Sequence, residues 1–288
     1  VPTELFGQPT PTAIPTIERP ADFEPVNILV MGIDRRPGGP FISRTDSMML
    51  VSVNPKNETV SALSVPRDLY VVLPGRGRDR INTAFVYGSE GNNPAGGAAL
   101  AMQTIEYNLG VPVDHYVLVD FGAVINGIDA IGGIDVNVPY AINDPTFPDM
   151  NYGYDPLYIP AGLQHFDGQM ALKFARTRHQ DNDFYRARRQ QLVALAVRDK
   201  VLGLGISELL LQAPALYQRL GEGVRTDLSL EELVSLARVM ADIPGENIRT
   251  EVLDGNYVTS YRTEIGASVL LPINENITIL IQEMFYNN

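Results

Sequence analysis

The chain has 288 residues, 45% of them hydrophobic, carries a net charge of −12, and contains neither cysteine nor tryptophan. One large α/β domain can hold this length with a full core. The lack of Cys excludes disulfides, thiol catalysis and Cys-based zinc sites; the acidic balance argues against general nucleic-acid binding; and no run of about 18 apolar residues offers a transmembrane helix.

Residues 1–25 carry Pro2, Pro9, Pro11, Pro15, Pro20 and Pro25 among four threonines. They read as an extended Pro/Thr linker, either a stalk that spaces an extracellular domain from a membrane or a tail without special role. The chain starts at Val1, which leaves room for an N-terminal membrane anchor outside this sequence. A single folded domain is expected from residue 26 to 288.

Val26 to Ile33 is a nearly continuous apolar run and reads as a strand buried on both faces, ended by Asp34. Arg44-Thr45-Asp46 leads into a second strand over Ser47–Val53, and the turn at Asn54-Pro55-Lys56-Asn57 returns the chain in a third, Thr59–Val65. Pro66-Arg67-Asp68 follows. Asp46 opens one hairpin strand and Arg67 follows the other, so both lie at one sheet edge. With the first strand parallel to the third, Asp34 reaches that edge too. Two carboxylates facing one anion site repel it unless a cation stands between them. A hard, oxygen-ligated ion such as Mg²⁺, or Mn²⁺, resolves the conflict. The plainer alternative makes Asp34 a turn residue and Asp46 the partner of Arg44.

Residues 74–80 read as a Gly/Arg loop. A helix over about Ala98–Leu109 is stopped by Gly110. Val113–Val119 reads as a strand, Phe121–Ile131 as a short helix and Ile134–Val138 as a strand. Residues 139–162, rich in Pro, Tyr, Asn and Asp, form a long loop of the kind that serves as a functional flap.

The densest chemistry lies next. Lys173, Arg176, Arg178, Arg186, Arg188, Arg189, Arg198 and Lys200 place 8 of the 22 basic residues within 28 positions. Arg dominates, and its planar fork suits bidentate capture of phosphate or carboxylate. Arg176 and Arg178 share a face only where the chain is extended. Asp183, Arg186 and Gln190 share one helical stripe, with Arg189 close to it. That helix is expected to begin near Asp181–Asp183 with Asp as N-cap, and its N-terminal N–H groups add to an anion site. The competing reading is a surface Arg cluster paired with local Asp residues.

Beyond Val201 the pattern is helical and Leu-rich, offering an apolar groove against the sheet. Ser229-Leu230-Glu231-Glu232 is a capping box opening a helix to about Ala241. Asn247–Leu253 reads as a strand. Asn274 is expected to cap a final helix to Phe285, with Ile277, Leu280, Ile281 and Met284 as its apolar stripe. His115, His165 and His179 lack metal-ligand spacing; the first two read as structural, while His179 sits beside the Arg pair.

Six ordered motifs resemble the LytR-CpsA-Psr family of bacterial cell envelopes. They are Asn27–Asp34, Arg44–Leu50, Ser64–Asp68, Arg80–Phe85, Asp129–Ile134, and Gly162 through Asp167-Gly168, Ala171-Leu172, Arg176-x-Arg178 and Asp183-x-x-Arg186-x-x-Arg189-Gln190. Two departures are visible: a short segment between Arg178 and Asp183, and no clear Gly-Gly after Phe85. The resemblance implies a single three-layer α/β domain with a mixed central sheet, flanking helices and an apolar lipid groove, placed outside the cytoplasm. It implies Mg²⁺-dependent phosphotransfer of a glycopolymer such as a teichoic acid. The polymer phosphate passes from a polyprenyl-pyrophosphate carrier to a peptidoglycan hydroxyl. By motif, Asp34 and Asp46 belong to the metal and acid–base region. Arg44, Arg67, Arg176, Arg178, Arg186, Arg189 and Gln190 belong to the pyrophosphate set, and Asp183 orients the arginines. The alternatives are a non-catalytic binder of polyprenyl phosphates or anionic wall polymer, and a lipid pyrophosphatase; a simple binder gains nothing from carboxylates in its site.

Overall fold

A computed structural model describes residues 25–35, 39–149, 153–178, 182–205, 221 and 223–287. The N-terminal Pro/Thr segment, His179 and most of the Leu-rich stretch after residue 205 lie outside the described residues.

The strands, in chain order, are β1 (Val26–Ile33), β2 (Thr45–Asn54), β3 (Thr59–Ser64), β4 (Tyr70–Leu73), β5 (Gly77–Arg80), β6 (His115–Asp120), β7 (Ile134–Val138), β8 (Ile142–Asp144), β9 (Leu157–Ile159), β10 (Gly162–Phe166), β11 (Val224–Thr226), β12 (Ile248–Val252), β13 (Val258–Arg262) and β14 (Ser268–Pro272). The helices are α1 (Ala84–Gly88), α2 (Pro94–Leu109), α3 (Phe121–Ala130), α4 (Gly168–Arg176) and α5 (Asp183–Leu204), followed by Leu230–Asp242 and Asn274–Ile281.

A six-stranded mixed sheet in the order β11-β6-β1-β2-β3-β12 forms the middle layer. β1 runs antiparallel to β2, and β2 antiparallel to β3, so β1 and β3 point the same way. β6 is parallel to β1 and β12 parallel to β3. The edge at the end of β1, the start of β2 and the end of β3 is therefore one edge, as the hairpin argument requires.

The two faces of this sheet differ. Side chains alternate along a strand, and Leu29, Met31, Ile33, Met48, Leu50 and Leu118 point into the main core. There they meet Ala98, Ala101 and Ile105 of α2 and Ile277, Leu280 and Ile281 of the last helix. The alternate residues Val30, Gly32, Met49, Val51 and Val119 face a cavity on the other side. The apolar run of β1 is thus covered by packing on one face and by an apolar hollow on the other.

α3, α4 and α5 wall the hollow. Asp120 caps α3 by accepting from the Ala123 N–H at 2.8 Å, and Asp167 caps α4 by accepting from Met170 N–H at 2.7 Å. α4 can lie close to α3 because Gly168 has no side chain: a Cβ there would stand 2.2 Å from the Ile125 carbonyl oxygen. The Gly168 N–H donates to Asp129 at 2.7 Å, which joins two of the six motifs across the contact.

Several expectations need correction. Residues 74–80 are not a loop alone; Gly77–Arg80 is β5, which pairs with β4 as a hairpin. The segment 139–162 is not a loop throughout, because β8 and β9 pair within it. β11, β13 and β14 carry too few alternating apolar residues to stand out in the sequence. Asn182, not Asp, caps α5, accepting from the Phe184 and Tyr185 N–H groups at 3.0 and 3.3 Å. Asn274 is the first residue of the last helix and its cap position is Ile273, without a side-chain bond. Met284 remains buried because the chain continues as a wider helical turn over Gln282–Tyr286. The capping box holds as read: Ser229 and Glu232 bond reciprocally.

Candidate active site

The cavity encloses about 950 Å³ between the sheet and α3, α4 and α5. Its apolar depth is built from Val30, Met49, Val119, Val124, Ile128, Leu172, Val193, Val197 and Val201. The described walls come from α3 to α5; the expected contribution of residues 206–220 lies outside the described residues. Asp34, Asp46, Arg67, Arg176, Arg178, Arg186 and Gln190 line the same cavity at its polar end. These charges come together because three strand ends and two helix ends share one sheet edge.

Asp183 is the centre of the cluster. Its carboxylate lies 3.1 Å from Arg67 Nε, 3.2 Å from Arg178 Nε and 3.1 Å from Arg186 Nη2. Only the Arg186 contact is aligned as a hydrogen bond; Arg67 Nε is in ion-pair range without that alignment. Asp183 also sits in the first turn of α5, where the helix dipole favours a negative charge.

Arg67 does donate a hydrogen bond through Nη1, to Asp46 at 2.6 Å. Burial works against the Arg67 charge, but the Asp46 hydrogen bond and the fields of Asp183, Asp46 and Asp68 prevail and hold its pKa above the ordinary value. Arg178 moves the other way, since burial outweighs the pull of Asp183 and the Arg67 charge repels it. Arg186 is buried and also reaches the Asp46 carbonyl at 2.9 Å. Arg176 stacks 4.6 Å from the Phe121 ring centroid and 5.6 Å from that of Phe147. Gln190 donates to the Ala175 carbonyl at 3.4 Å.

Asp34 Oδ1 is buried and has no hydrogen-bond partner among the described residues. A carboxylate oxygen in that condition, in a cavity that a second carboxylate, Asp46, also lines, suits a cation with hard oxygen ligands. No group of three or more His, Cys, Asp or Glu side chains suited to a metal occurs among the described residues. Two protein carboxylates would leave the remaining positions of such an ion to phosphate and water.

Two expected members lie elsewhere. Arg44 is exposed and outside the cavity lining, close enough to Tyr87 to act on its phenol. Arg189 is buried against the Thr177 carbonyl, not in the lining, because its place on the α5 stripe turns it toward α4. His115 and His165 sit at the surface with Asp227 and Asp135, at 3.3 and 2.7 Å. Asp144, Thr177, Phe121 and Phe147 line the cavity without having been singled out. The Asp144-Pro145-Thr146 sequence does signal a local turn, yet nothing in it points to Thr177, 33 residues later.

The chain is 35% identical over 233 residues to the polyisoprenyl-teichoic acid–peptidoglycan teichoic acid transferase TagU of Oceanobacillus iheyensis, covering 80% of this chain and 67% of that protein. It is 30% identical to the transferase of the same description, TagV, of Bacillus subtilis, covering 81% of this chain and 57% of that protein. The chain thus spans about two thirds or less of these relatives' length. The crystal structure of B. subtilis TagV superposes with a TM-score of 0.71 at 27% identity, covering 91% of this chain and 97% of that one. The structure of TagT bound to LIIa-WTA gives a TM-score of 0.71 at 26% identity, covering 90% and 89%. The LytR_cpsA_psr family profile matches residues 8–283, and the chain belongs to that family.

Proposed function

We propose that this chain is a phosphotransferase. It moves a glycopolymer phosphate from a polyprenyl-pyrophosphate carrier to a peptidoglycan hydroxyl during cell-wall assembly. The observation that carries this reading is the juxtaposition of one apolar cavity with one polar end bearing Arg67, Arg176, Arg178 and Arg186. A prenyl tail fits the first and a pyrophosphate the second. The named activity of the TagU and TagV relatives supports the same reaction class.

In this reaction the acceptor oxygen attacks the sugar-linked phosphorus. The bond from that phosphorus to the bridging oxygen breaks, and polyprenyl monophosphate leaves with the electron pair. The acceptor proton passes to a base. Charge on the phosphoryl oxygens is the main burden of such a transfer, so catalysis rests on positioning and neutralisation. Arg67, Arg178 and Arg186 supply fixed positive charge, and Asp183 holds them converged before substrate arrives. Arg176, packed on Phe121 and Phe147, is partly shielded from water, which strengthens its pull on an anion. Asp34 and Asp46 are the residues that would hold Mg²⁺ or Mn²⁺. Such an ion would neutralise phosphate charge next to the two carboxylates.

The setting follows from the substrates. A lipid carrier and a wall acceptor meet only outside the cytoplasm, at the membrane. Among the described residues no helix is long and apolar enough to cross a membrane. The Pro/Thr stretch of residues 1–25 has the composition of a spacer that would hold the folded domain away from a membrane surface.

The test is turnover of a polyprenyl-pyrophosphate glycopolymer in the presence of peptidoglycan. Polyprenyl monophosphate and acceptor-linked polymer should form in equal amounts. Arg67→Ala should weaken binding of the lipid by about 1.5–3 kcal/mol, the scale of a charge-assisted hydrogen bond. Release of polymer phosphate to water at the same rate with and without acceptor would overturn the transferase reading in favour of a pyrophosphatase.

A further inference from the structure

Thr177 joins the two cavity arginines Arg176 and Arg178, and each of its polar groups is engaged. Its N–H donates to the Lys173 carbonyl at 3.1 Å. Its carbonyl accepts from Arg189 Nη2. Its hydroxyl donates to Asp144 Oδ2 at 2.6 Å. Both side-chain partners are buried charges: Asp144 is 3% exposed and Arg189 2%. Burying a carboxylate and a guanidinium is costly unless each is tightly partnered. A neutral side chain could satisfy either Thr177 group at lower cost.

Asp144 does a second thing. Its Oδ1 accepts from the Thr146 N–H at 3.2 Å and the Thr146 hydroxyl at 3.4 Å, while its carbonyl accepts from the Phe147 N–H at 3.4 Å. This turn sets Phe147 against the Arg176 guanidinium. One carboxylate thus fixes both the peptide between the arginines and the ring beneath one of them. Thr177 itself has left the helix, at φ −58° and ψ 145°, so α4 no longer dictates where Arg178 goes.

We propose that Asp144, Thr177 and Arg189 form a positioning clamp. It locks the backbone between Arg176 and Arg178 so that both guanidiniums are aimed before an anion binds. Fixing them in advance removes an ordering cost from binding and from the transition state. The three act through the arginines; Arg189 does not line the cavity, and the Thr177 hydroxyl gives its proton to Asp144. The functional meaning of the clamp rests on the anion-binding reading of the cavity's polar end, while its geometry does not.

Thr177→Val removes the hydroxyl at nearly constant volume, Thr177→Ser restores it, and Arg178→Ala serves as the control. Crystal structures report the Arg178 Nε to Asp183 distance, 3.2 Å here. Calorimetry with inorganic pyrophosphate reports affinity. Thr177→Val should release Arg178 from Asp183 and weaken pyrophosphate binding about tenfold, the factor one well-made hydrogen bond carries. Thr177→Ser should bring both back. A merely structural role would lower thermal stability and leave the affinity of the folded protein unchanged. If Thr177→Val binds as the parent does while Arg178→Ala loses affinity, the clamp is refuted and the anion site stands. If neither parent nor Arg178→Ala binds pyrophosphate, the anion site is refuted. The crystallographic arm then decides the clamp alone: an unmoved Arg178 overturns it, a released one upholds it. Should Thr177→Val not fold, Asp144→Asn is read by the same two measurements.

Discussion

Removing the Asp183 carboxylate tests the charge cluster most directly. Asp183→Ala removes the carboxylate on which three guanidiniums converge. The Arg186 contact counts most, since that side chain is only 7% exposed and its bond is aligned. It contributes about 1.5–3 kcal/mol as a charge-assisted hydrogen bond. The Arg67 contact is unaligned, and Arg67 keeps its bond to Asp46. The Arg178 side chain is 40% exposed, so solvent screening limits its pair to about 1 kcal/mol or less. Mutual repulsion of the released cations adds to the loss, and the terms are not additive. The expected cost is about 2–4 kcal/mol, between the values for exposed and for buried pairs. With a urea slope of about 3 kcal/mol/M, the midpoint falls by about 1 M. Inorganic pyrophosphate at about 100 times its Kd stabilises a folded protein by about 2.7 kcal/mol. It should stabilise the variant less than the parent at equal concentration, because the anion must then order the arginines that Asp183 holds converged. A loss under about 0.5 kcal/mol, typical of a neutral surface substitution, would refute the view of Asp183 as the hub. So would equal rescue of both proteins by pyrophosphate.

Four further outcomes follow from the geometry. Turnover of the lipid pyrophosphate should stop in EDTA and return with Mg²⁺, and Asp34→Asn should abolish that dependence; full turnover in EDTA would remove the ion from the reading. Ala194 of α5 also lines the hollow, so Ala194→Phe should fill part of it and weaken a long-chain prenyl pyrophosphate at least about tenfold, the scale of a few buried methylenes, and leave inorganic pyrophosphate unaffected; equal effects on both ligands would separate the hollow from the tail. Gly168→Ala forces a Cβ against the Ile125 carbonyl and should cost about 1–3 kcal/mol by overpacking α3 against α4, read by thermal unfolding. Hydrogen bonds from the Ser229 hydroxyl and N–H hold the Glu232 carboxyl below its ordinary value of 4.5. A depressed carboxylate pKa stabilises above the unfolded value and ceases to as pH falls through the folded one, so the protection of amides at the start of the helix Leu230–Asp242, relative to their intrinsic exchange rate at each pH, should fall below that range, and unchanged protection would deny the capping box its role.

The sequence alone determined the elements whose signals are local. The β1 run, the Asn54–Asn57 turn and the Ser229 box depend on residues a few positions apart, and their hydrophobic period or turn chemistry needs no distant partner. The convergence of Asp34, Asp46 and Arg67 was legible for the same reason, since strand direction in a hairpin follows from chain order. The short strands β5, β8 and β9 were hidden because each is held by its partner strand more than by its own composition. Whether an arginine near the site enters it was decided only in three dimensions. Arg186 and Arg189 stand three apart on one helix, yet one lines the cavity and the other is buried on Thr177. Their difference is a rotation about α5, fixed by which neighbours that helix packs against. The same holds for Asp144 and Thr177, whose bond spans 33 residues and exists only because β8 and the end of α4 meet. Local sequence sets what a segment can become; the packing of remote segments sets which side chains share a site.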